Sequence, residues 1–427
     1  MKKVLIITYY WPPSGGAGVQ RWLKLSKYLA KNGVEVHILT VDPNRASYSS
    51  IDYSLKNDID NKIKVHTTNS FEIINIYAKF VGKKNVPTSG FSNVNNKNFF
   101  QKLVNSLRSN FFIPDPRIGW KRFAVKKAIE IINSFKVEHI ITTSPPHSTQ
   151  LIGLELKKRL NIKWLVDFRD PWTDIYYYKI LGHSFISKMI DKKLERSVLR
   201  HSDKIITVSN GFKSLFLKNE KDIDSNKIKV IPNGYDSEDF NTEHNKVENN
   251  NSFIICYTGT MSDQYDPFFF FKALNKVNLG ILKIKFQLIG SISENIKTFL
   301  EKMNYEVEFI STVPHSEVIS YQKNADALLL VIPNIKQAEG ITPGKLFEYM
   351  ASKNKVIAIG PLNSDVNNIL ELCQAGKTFE RTSEEELIDY INMLIKNKSQ
   401  GEKNSVNVEA IQEYSRSNQA LEIMDLL

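Results

Sequence analysis

The feature that most restricts the fold is a rhythm. Short apolar, β-rich runs recur along the chain, and stretches with helical spacing separate them. The first set is Val4–Thr8, Val34–Thr40, Ile63–Thr67, His139–Thr143, Trp164–Asp167, Lys204–Ser209 and Lys229–Pro232. The second is Phe253–Tyr257, Lys285–Ile289, Val307–Ser311, Ala327–Ile332 and Lys355–Ile359. Strands alternating with helices predict parallel sheets covered on both faces. A polar segment, residues 238–252, separates the two sets and has the composition of a linker. The expectation is an α/β protein of two doubly wound domains, residues 1–240 and 252–405.

A length of 427 residues and a hydrophobic content of 42% suit two such domains. The two cysteines, Cys256 and Cys373, give neither a disulfide framework nor a metal-ligand spacing, which fits a reducing compartment. The N-terminal apolar run lacks a small-residue cleavage site, so it is expected to be a strand and the protein to be cytoplasmic. No run reaches 18 apolar residues, the length a membrane-crossing helix needs. Charge is unevenly spread. Residues 1–240 carry a balance of +17 and residues 241–427 one of −6, within a net charge of +11. A basic first half points to an anionic partner, nucleic acid or a membrane surface.

In open α/β sheets ligands bind beyond the carboxyl ends of the strands. The strand endings here are rich in glycine, proline, histidine and charge. Ser14–Gly18 fails the dinucleotide fingerprint, because six residues separate it from the strand. It is either a loop that lets a substrate approach the backbone at Gly15 and Gly16 or a plain turn. His147 opens a helix after S-P-P; a helix N-terminus favours neutral imidazole, able to bond a substrate hydroxyl or shuttle a proton, while a simple cap is the alternative. Asp167, Arg169 and Asp170 crowd one strand end, either as an ion-pair corner or to orient an acceptor. In the second half, Thr342-Pro343-Gly344-Lys345 leads into an apolar helical stripe of Leu346, Phe347 and Met350. Thr342 is expected to be the N-cap with Pro343 at the first helical position. Lys345 and Glu348 share a face. Two readings stand: a phosphate site with a hydroxyl-binding carboxylate one turn on, or a capped helix with an ion pair. No H-E-x-x-H, C-x-x-C pair, P-loop lysine or G-x-S-x-G occurs, which argues against metal, P-loop and serine-hydrolase chemistry.

Taken in order, these segments resemble the family 4 nucleotide-sugar glycosyltransferases, of GT-B fold. The resemblance runs nearly end to end. It rests on the Gly15–Gly18 loop, S-P-P-H-S (144–148), V-D-F-R-D-P-W (166–172), T-V-S-N-G-F (207–212) and V-I-P-N-G-Y-D (230–236). It continues with I-C-Y-T-G-T (255–260), T-V-P-H-S-E-V (312–318), N-A-D-A-L-L-L (324–330) and T-P-G-K-L-F-E-Y-M-A-S-K-N-K-V-I-A (342–358). The resemblance implies two Rossmann-like domains facing across a cleft, the first for the acceptor and the second for the nucleotide sugar. By it, Glu348 would hold the donor ribose, and Lys345 with the Thr342–Gly344 backbone the diphosphate. Gly259 and Thr260 would border the same site, and Val313 to His315 would flank the base. His147 and the Gly15–Gly16 loop would lie beside the transferred sugar, with Asp167 and Arg169 at the same edge. It further implies a retaining reaction, no bound metal or cofactor, a UDP- or GDP-linked donor, and a C-terminal helix (406–427) returning to the first domain. Two departures mark this chain. The family's paired glutamates stand eight apart, but eight before Glu348 is Gly340, with Glu339 one place off. The segment G-T-M-S-D-Q-Y (259–265) lacks the usual Arg and Lys.

The expected role is synthesis of a surface polysaccharide, capsule or lipopolysaccharide, or of a glycolipid, with a glycan or polyprenyl-linked acceptor and no nucleic acid. A GT-B sugar-nucleotide 2-epimerase and a non-catalytic nucleotide- or nucleic-acid-binding module are the alternatives. Residues 97–112, with Phe99, Phe100, Leu103, Val104 and Leu107 beside Lys97, Lys102 and Arg108, form the pattern of a membrane-interface helix or of an ordinary packed one. Peripheral binding to the inner face of the cytoplasmic membrane is therefore expected.

Overall fold

The structure is a computed structural model that describes residues 1–72, 110–175, 178, 181–241, 251–277, 282–402 and 404–427. The chain forms two units, Met1–Pro232 with Gln419–Leu427, and Asn233–Asn418.

The first unit holds β1 (Lys3–Ile7), β2 (Glu35–Val41), β3 (Lys64–Thr68), β4 (His139–Ser144), β5 (Lys163–Phe168), β6 (Lys204–Thr207) and β7 (Ile228–Val230). They pair in the order β3-β2-β1-β4-β5-β6-β7, with every pairing parallel. The second unit holds β8 (Ser252–Thr258), β9 (Lys283–Ile289), β10 (Glu306–Ile310), β11 (Ala327–Val331), β12 (Lys355–Ile359) and β13 (Gly376–Phe379). Their order is β10-β9-β8-β11-β12-β13, again parallel.

Why these runs make strands is visible in β1. Its residues Val4 to Ile7 are all fully buried, and successive side chains enter different cores. Leu5 and Ile7 join Trp120, Ala124 and Val125, whereas Val4 and Ile6 join Trp22, Leu23 and Leu29. β8 repeats the arrangement, with Phe253, Ile255 and Tyr257 on one side and Ile254 and Cys256 on the other. A strand covered on both faces needs apolar residues at every position.

Twelve of the thirteen strands coincide with sequence-predicted runs. β13 was not foreseen: it is a short edge strand, G-K-T-F, pairing with β12, and its Lys377 is exposed, so it has no apolar run to show. The unit boundaries also differ from 240 and 406. Tyr235 accepts the Arg416 N–H (2.9 Å) and donates its own N–H to Tyr414 (3.2 Å), and its ring sits in the core containing Phe347 and Ile411. Residues 233–240 and 406–418 thus belong to the second unit. Ala420 and Ile423, further along the Arg416–Leu426 helix, are fully buried in the core of the first. Most of the proposed interface segment, residues 97–109, lies outside the described residues.

In each sheet the order of connections reverses once, between β1 and β4 and between β8 and β11. Ligands of doubly wound sheets bind at such reversals.

Candidate functional site

In the first unit, the β1–β4 reversal collects the glycine loop and His147. The loop leaves β1 and enters the Ala17–Lys31 helix through Gly16, whose φ of 93° is a left-handed conformation that glycine adopts without strain. The Gly15 N–H donates to Ser50 O (3.0 Å), and Gly15 packs so closely that a side-chain carbon would come within 3.0 Å of Ser50 Oγ. The loop is thereby held against residues 50–52.

His147 stands at the head of the Ser148–Arg159 helix. Asp115 fixes that helix start by accepting from the Ser148 N–H (2.7 Å) and hydroxyl (2.8 Å). The His147 ring is 9% exposed, stacked on Trp172, and among the described residues neither ring nitrogen has a hydrogen-bond partner. Burial, with the nearby Arg169 charge, lowers its pKa to about 3, so it stays neutral. A neutral imidazole offers one donor and one acceptor to a ligand.

Arg169 and Asp167 do different work from that expected of catalytic groups. Arg169 donates to three carbonyls: Gly18 (2.7 Å), Ser144 (3.1 Å) and Pro145 (2.9 Å). It ties the glycine loop to the turn that carries His147. Asp167 is fully buried and accepts from Arg21 (3.1 and 3.3 Å), the Trp22 indole (2.7 Å) and Thr143 (2.8 Å). Arg21 in turn donates to Ile231 O (2.9 Å) and Pro232 O (2.7 Å). The carboxylate is saturated from within, so Asp167 positions and does not react.

The second unit gathers its residues at the β8–β11 reversal. Lys345 is half-buried; its amine donates to Thr258 O (2.6 Å) and sits 4.0 Å from the centroid of the Tyr257 ring. It crosses Gly259, where a side-chain carbon would come within 3.1 Å of Nζ. Gly259 (φ 104°) is itself crowded by Gly290, where a side-chain carbon would lie 2.5 Å from Gly259 O. Burial depresses the Lys345 pKa to about 7, although Glu348 opposes the shift. Thr260 is exposed at the loop and accepts the Tyr257 hydroxyl through its carbonyl (2.7 Å).

Glu348 and Lys345 do not form the ion pair that their spacing allows. Glu348 Oε1 accepts from His315 Nε2 (3.0 Å), and Oε2 from Gln322 (3.3 Å). Burial by itself would raise the Glu348 pKa, but His315 and Gln322 hold it below the usual carboxylate value. Its side chain remains 23% exposed, which leaves the carboxylate within reach of a ligand. His315 thus turns to Glu348, while Val313 is half-buried two residues earlier. Gln322 also donates to Thr258 Oγ1 (3.3 Å), which meets the Tyr349 hydroxyl (3.2 Å). Sequence reading missed Gln322 and Tyr349, because they act through partners 26, 64 and 91 residues away.

One local expectation fails. The helix begins at Lys345, with Gly344 as its cap residue and no side-chain cap. Pro343 and Gly344 form the turn ahead of it, accepting from Leu346 N–H (3.1 Å) and Phe347 N–H (3.2 Å). Thr342 turns inward; its hydroxyl is buried without a partner. Glu339 is exposed, whereas Gly340, eight places before Glu348, is buried. Among the described residues no cluster of His, Cys, Asp and Glu could hold a metal ion.

Two parallel sheets of seven and six strands, each with a loop-lined reversal, define a protein of the GT-B glycosyltransferase fold. Residues 86–239 match the model of Glycosyltransferase Family 4. Among solved structures it is similar to sucrose-phosphate synthase from Thermosynechococcus elongatus (TM-score 0.66, 14% identity, covering 100% of this chain and 98% of that one). It is also similar to HepE of Anabaena, solved with UDP-glucose (TM-score 0.64, 12% identity, 100% of both chains). A third is a glycosyltransferase from Rickettsia africae (TM-score 0.58, 20% identity, 100% and 97%). At these identities the likeness concerns the fold. No curated protein matches the sequence.

Proposed function

We propose that the protein is a retaining, metal-independent glycosyltransferase. It transfers a sugar from a UDP- or GDP-linked donor to a glycan or polyprenyl-linked acceptor of a surface polysaccharide or glycolipid. The observation that carries this reading is the pairing, on one short helix, of a half-buried amine and an ionised, accessible carboxylate. Lys345 lies across the Gly259 backbone and Glu348 stands one turn on. A diphosphate needs the first, and a ribose diol needs the second. HepE, solved with UDP-glucose, supports a uridine donor.

In the reaction the bond from the anomeric carbon to the diphosphate oxygen breaks. The acceptor hydroxyl bonds to that carbon from the same face, and its proton passes to the departing diphosphate. Lys345 supplies positive charge where negative charge develops on the leaving group. His147, neutral at any working pH, hydrogen-bonds the transferred sugar. Arg169 keeps the glycine loop and the His147 turn in register. An acceptor carried on lipid would bring the enzyme to an anionic membrane surface.

The direct test incubates the protein with a panel of nucleotide sugars and follows slow hydrolysis without acceptor. Release of nucleoside diphosphate from one donor, lost in Lys345→Ala, supports the reading. Binding of no nucleotide sugar overturns it, and epimerised donor would assign the 2-epimerase chemistry instead.

A further inference from the structure

The Phe185–His201 helix carries its polarity reversed. A surface helix ordinarily buries an apolar stripe and exposes a polar face. Here the inward residues of the first turns are Ser187, Asp191 and Glu195, all buried. Facing solvent are Phe185, 80% exposed, Ile186 (63%), Met189 (57%) and Ile190 (38%).

Hydrogen bonds fix this orientation. Ser187 donates to Asn110 Oδ1 (2.6 Å), and Asp191 accepts from the Trp172 indole (3.1 Å) and the Tyr178 hydroxyl (2.7 Å). Glu195 accepts from the Thr173 hydroxyl (2.5 Å) and the Trp172 N–H (3.1 Å). Rotating the helix to hide its apolar residues would break all of these at once, so the exposure is built in. Asn110 also accepts from the Ser184 N–H (2.7 Å), which places the exposed Phe111 next to the helix start. Spacing puts Lys192 and Lys193 further along the stripe of Phe185 and Met189. With Lys188 they are exposed and carry no ion pair among the described residues, whereas Arg196 and Arg200 are paired with Glu220 and Asp222.

We propose that this face docks on an anionic lipid bilayer. Phe111, Phe185, Ile186, Met189 and Ile190 enter the boundary between headgroups and acyl chains, and Lys188, Lys192 and Lys193 engage lipid phosphates. The charge pattern selects this occupant. A second copy of the chain would bring three exposed lysines of a +17 half, without ion pairs among the described residues, against their equals. A bilayer with anionic headgroups accepts both the apolar residues and the cations. The surface also connects to chemistry: Asp191 holds the Trp172 indole, and Trp172 stacks on His147. On the reading proposed above, a lipid-linked acceptor would then reach His147 from the surface on which it is anchored.

The test is co-sedimentation of the full chain with vesicles of equimolar phosphatidylglycerol and phosphatidylcholine, against pure phosphatidylcholine. The wild type should bind the anionic vesicles and detach as salt rises. Phe185→Ser with Met189→Ser should bind roughly tenfold or more weakly at unchanged melting temperature, and Lys192→Glu with Lys193→Glu should do the same. Several outcomes overturn the proposal. They are equal binding to both vesicles, no binding, wild-type binding by both variants, and a concentration-dependent dimer abolished by Phe185→Ser. A lowered melting temperature of the serine variant without vesicle binding also overturns it, because the face would then contribute to folding and not to docking. Nucleotide binding, read separately by calorimetry, tests the glycosyltransferase reading on its own.

Discussion

The imidazole of His147 lies parallel to the indole of Trp172, with centroids 5.0 Å apart and planes 10° from parallel. Trp172 is anchored through its indole N–H to Asp191, so the stacking sets where His147 can point. With both nitrogens unpartnered in a buried setting, the ring is poised for a ligand and costs stability until one arrives.

His147→Ala should therefore lower kcat by roughly 10–100-fold while nucleotide affinity stays within about twofold. Steady-state kinetics beside calorimetry would check it. Because burial holds the pKa near 3, the pH–rate profile should show no limb near the ordinary histidine value. Equal turnover by the variant and the wild type would reduce His147 to the head of a helix.

Lys345 should give nucleotide binding a pH dependence. Its pKa of about 7 in the ligand-free protein means that the amine loses its charge as pH rises through neutrality. A bound diphosphate favours the charged form, so binding above pH 7 takes up a proton. Affinity should fall by up to tenfold per pH unit between about pH 7 and 9, and calorimetric heats should depend on the buffer's ionisation enthalpy. Lys345→Ala should weaken binding by roughly 1.5–3 kcal/mol at pH 6 and abolish the pH dependence. Unchanged affinity in this variant would dismiss the diphosphate assignment.

Much of the architecture was open to reading, for a physical reason. A parallel strand buried on two faces must be apolar at each position, so β1, β8, β11 and β12 announce themselves. β13 did not, because an edge strand with an exposed Lys377 has no such requirement. The site divides in the same way. Gly16, Gly259 and Lys345 belong to short motifs whose backbone demands are local. The roles of Asp167 and Arg169 depended on partners far along the chain, Arg21 and Gly18, so spacing alone could not separate a reactive carboxylate from a structural one. Thr342 looked like a cap because it precedes Pro343, but the Pro343–Gly344 turn takes up the residues that it would have capped.

Asp167 offers a stability test. Asp167→Ala leaves Arg21, 1% exposed, without its counter-charge and removes acceptors from Trp22 and Thr143. Breaking a buried pair in this way costs about 3–5 kcal/mol. Chemical denaturation should show a loss of that order, and the variant that remains folded should retain donor affinity. A loss under about 1 kcal/mol would mean that the ion pair does not hold the β5 end.

Glu195 and His147 should give opposite slopes of stability with pH. Burial raises the Glu195 pKa to about 7, and Asp191 beside it to about 6. The folded protein therefore keeps protons that the unfolded chain releases near pH 4. The stability that these groups contribute is complete below the unfolded values and is lost as pH rises through 6 to 7. His147 is lowered, so between about pH 3 and 6.5 the unfolded chain binds the extra proton and stability rises with pH. In the wild type His147 offsets only one of the two acids, so the curve should fall with about the slope of a single group from about pH 4.5 to 6 and level off above pH 7. Glu195→Gln has no proton to lose; its gain relative to wild type should grow by on the order of 2–3 kcal/mol from pH 4.5 to pH 8. Its amide oxygen can still accept the Trp172 N–H, so folding should survive the change. Thermal melts of the wild type, Glu195→Gln and His147→Ala over this range would separate the two contributions. A Glu195→Gln difference constant with pH would show that Glu195 ionises normally where it sits, and the polar underside of the Phe185–His201 helix would then be charged at neutral pH.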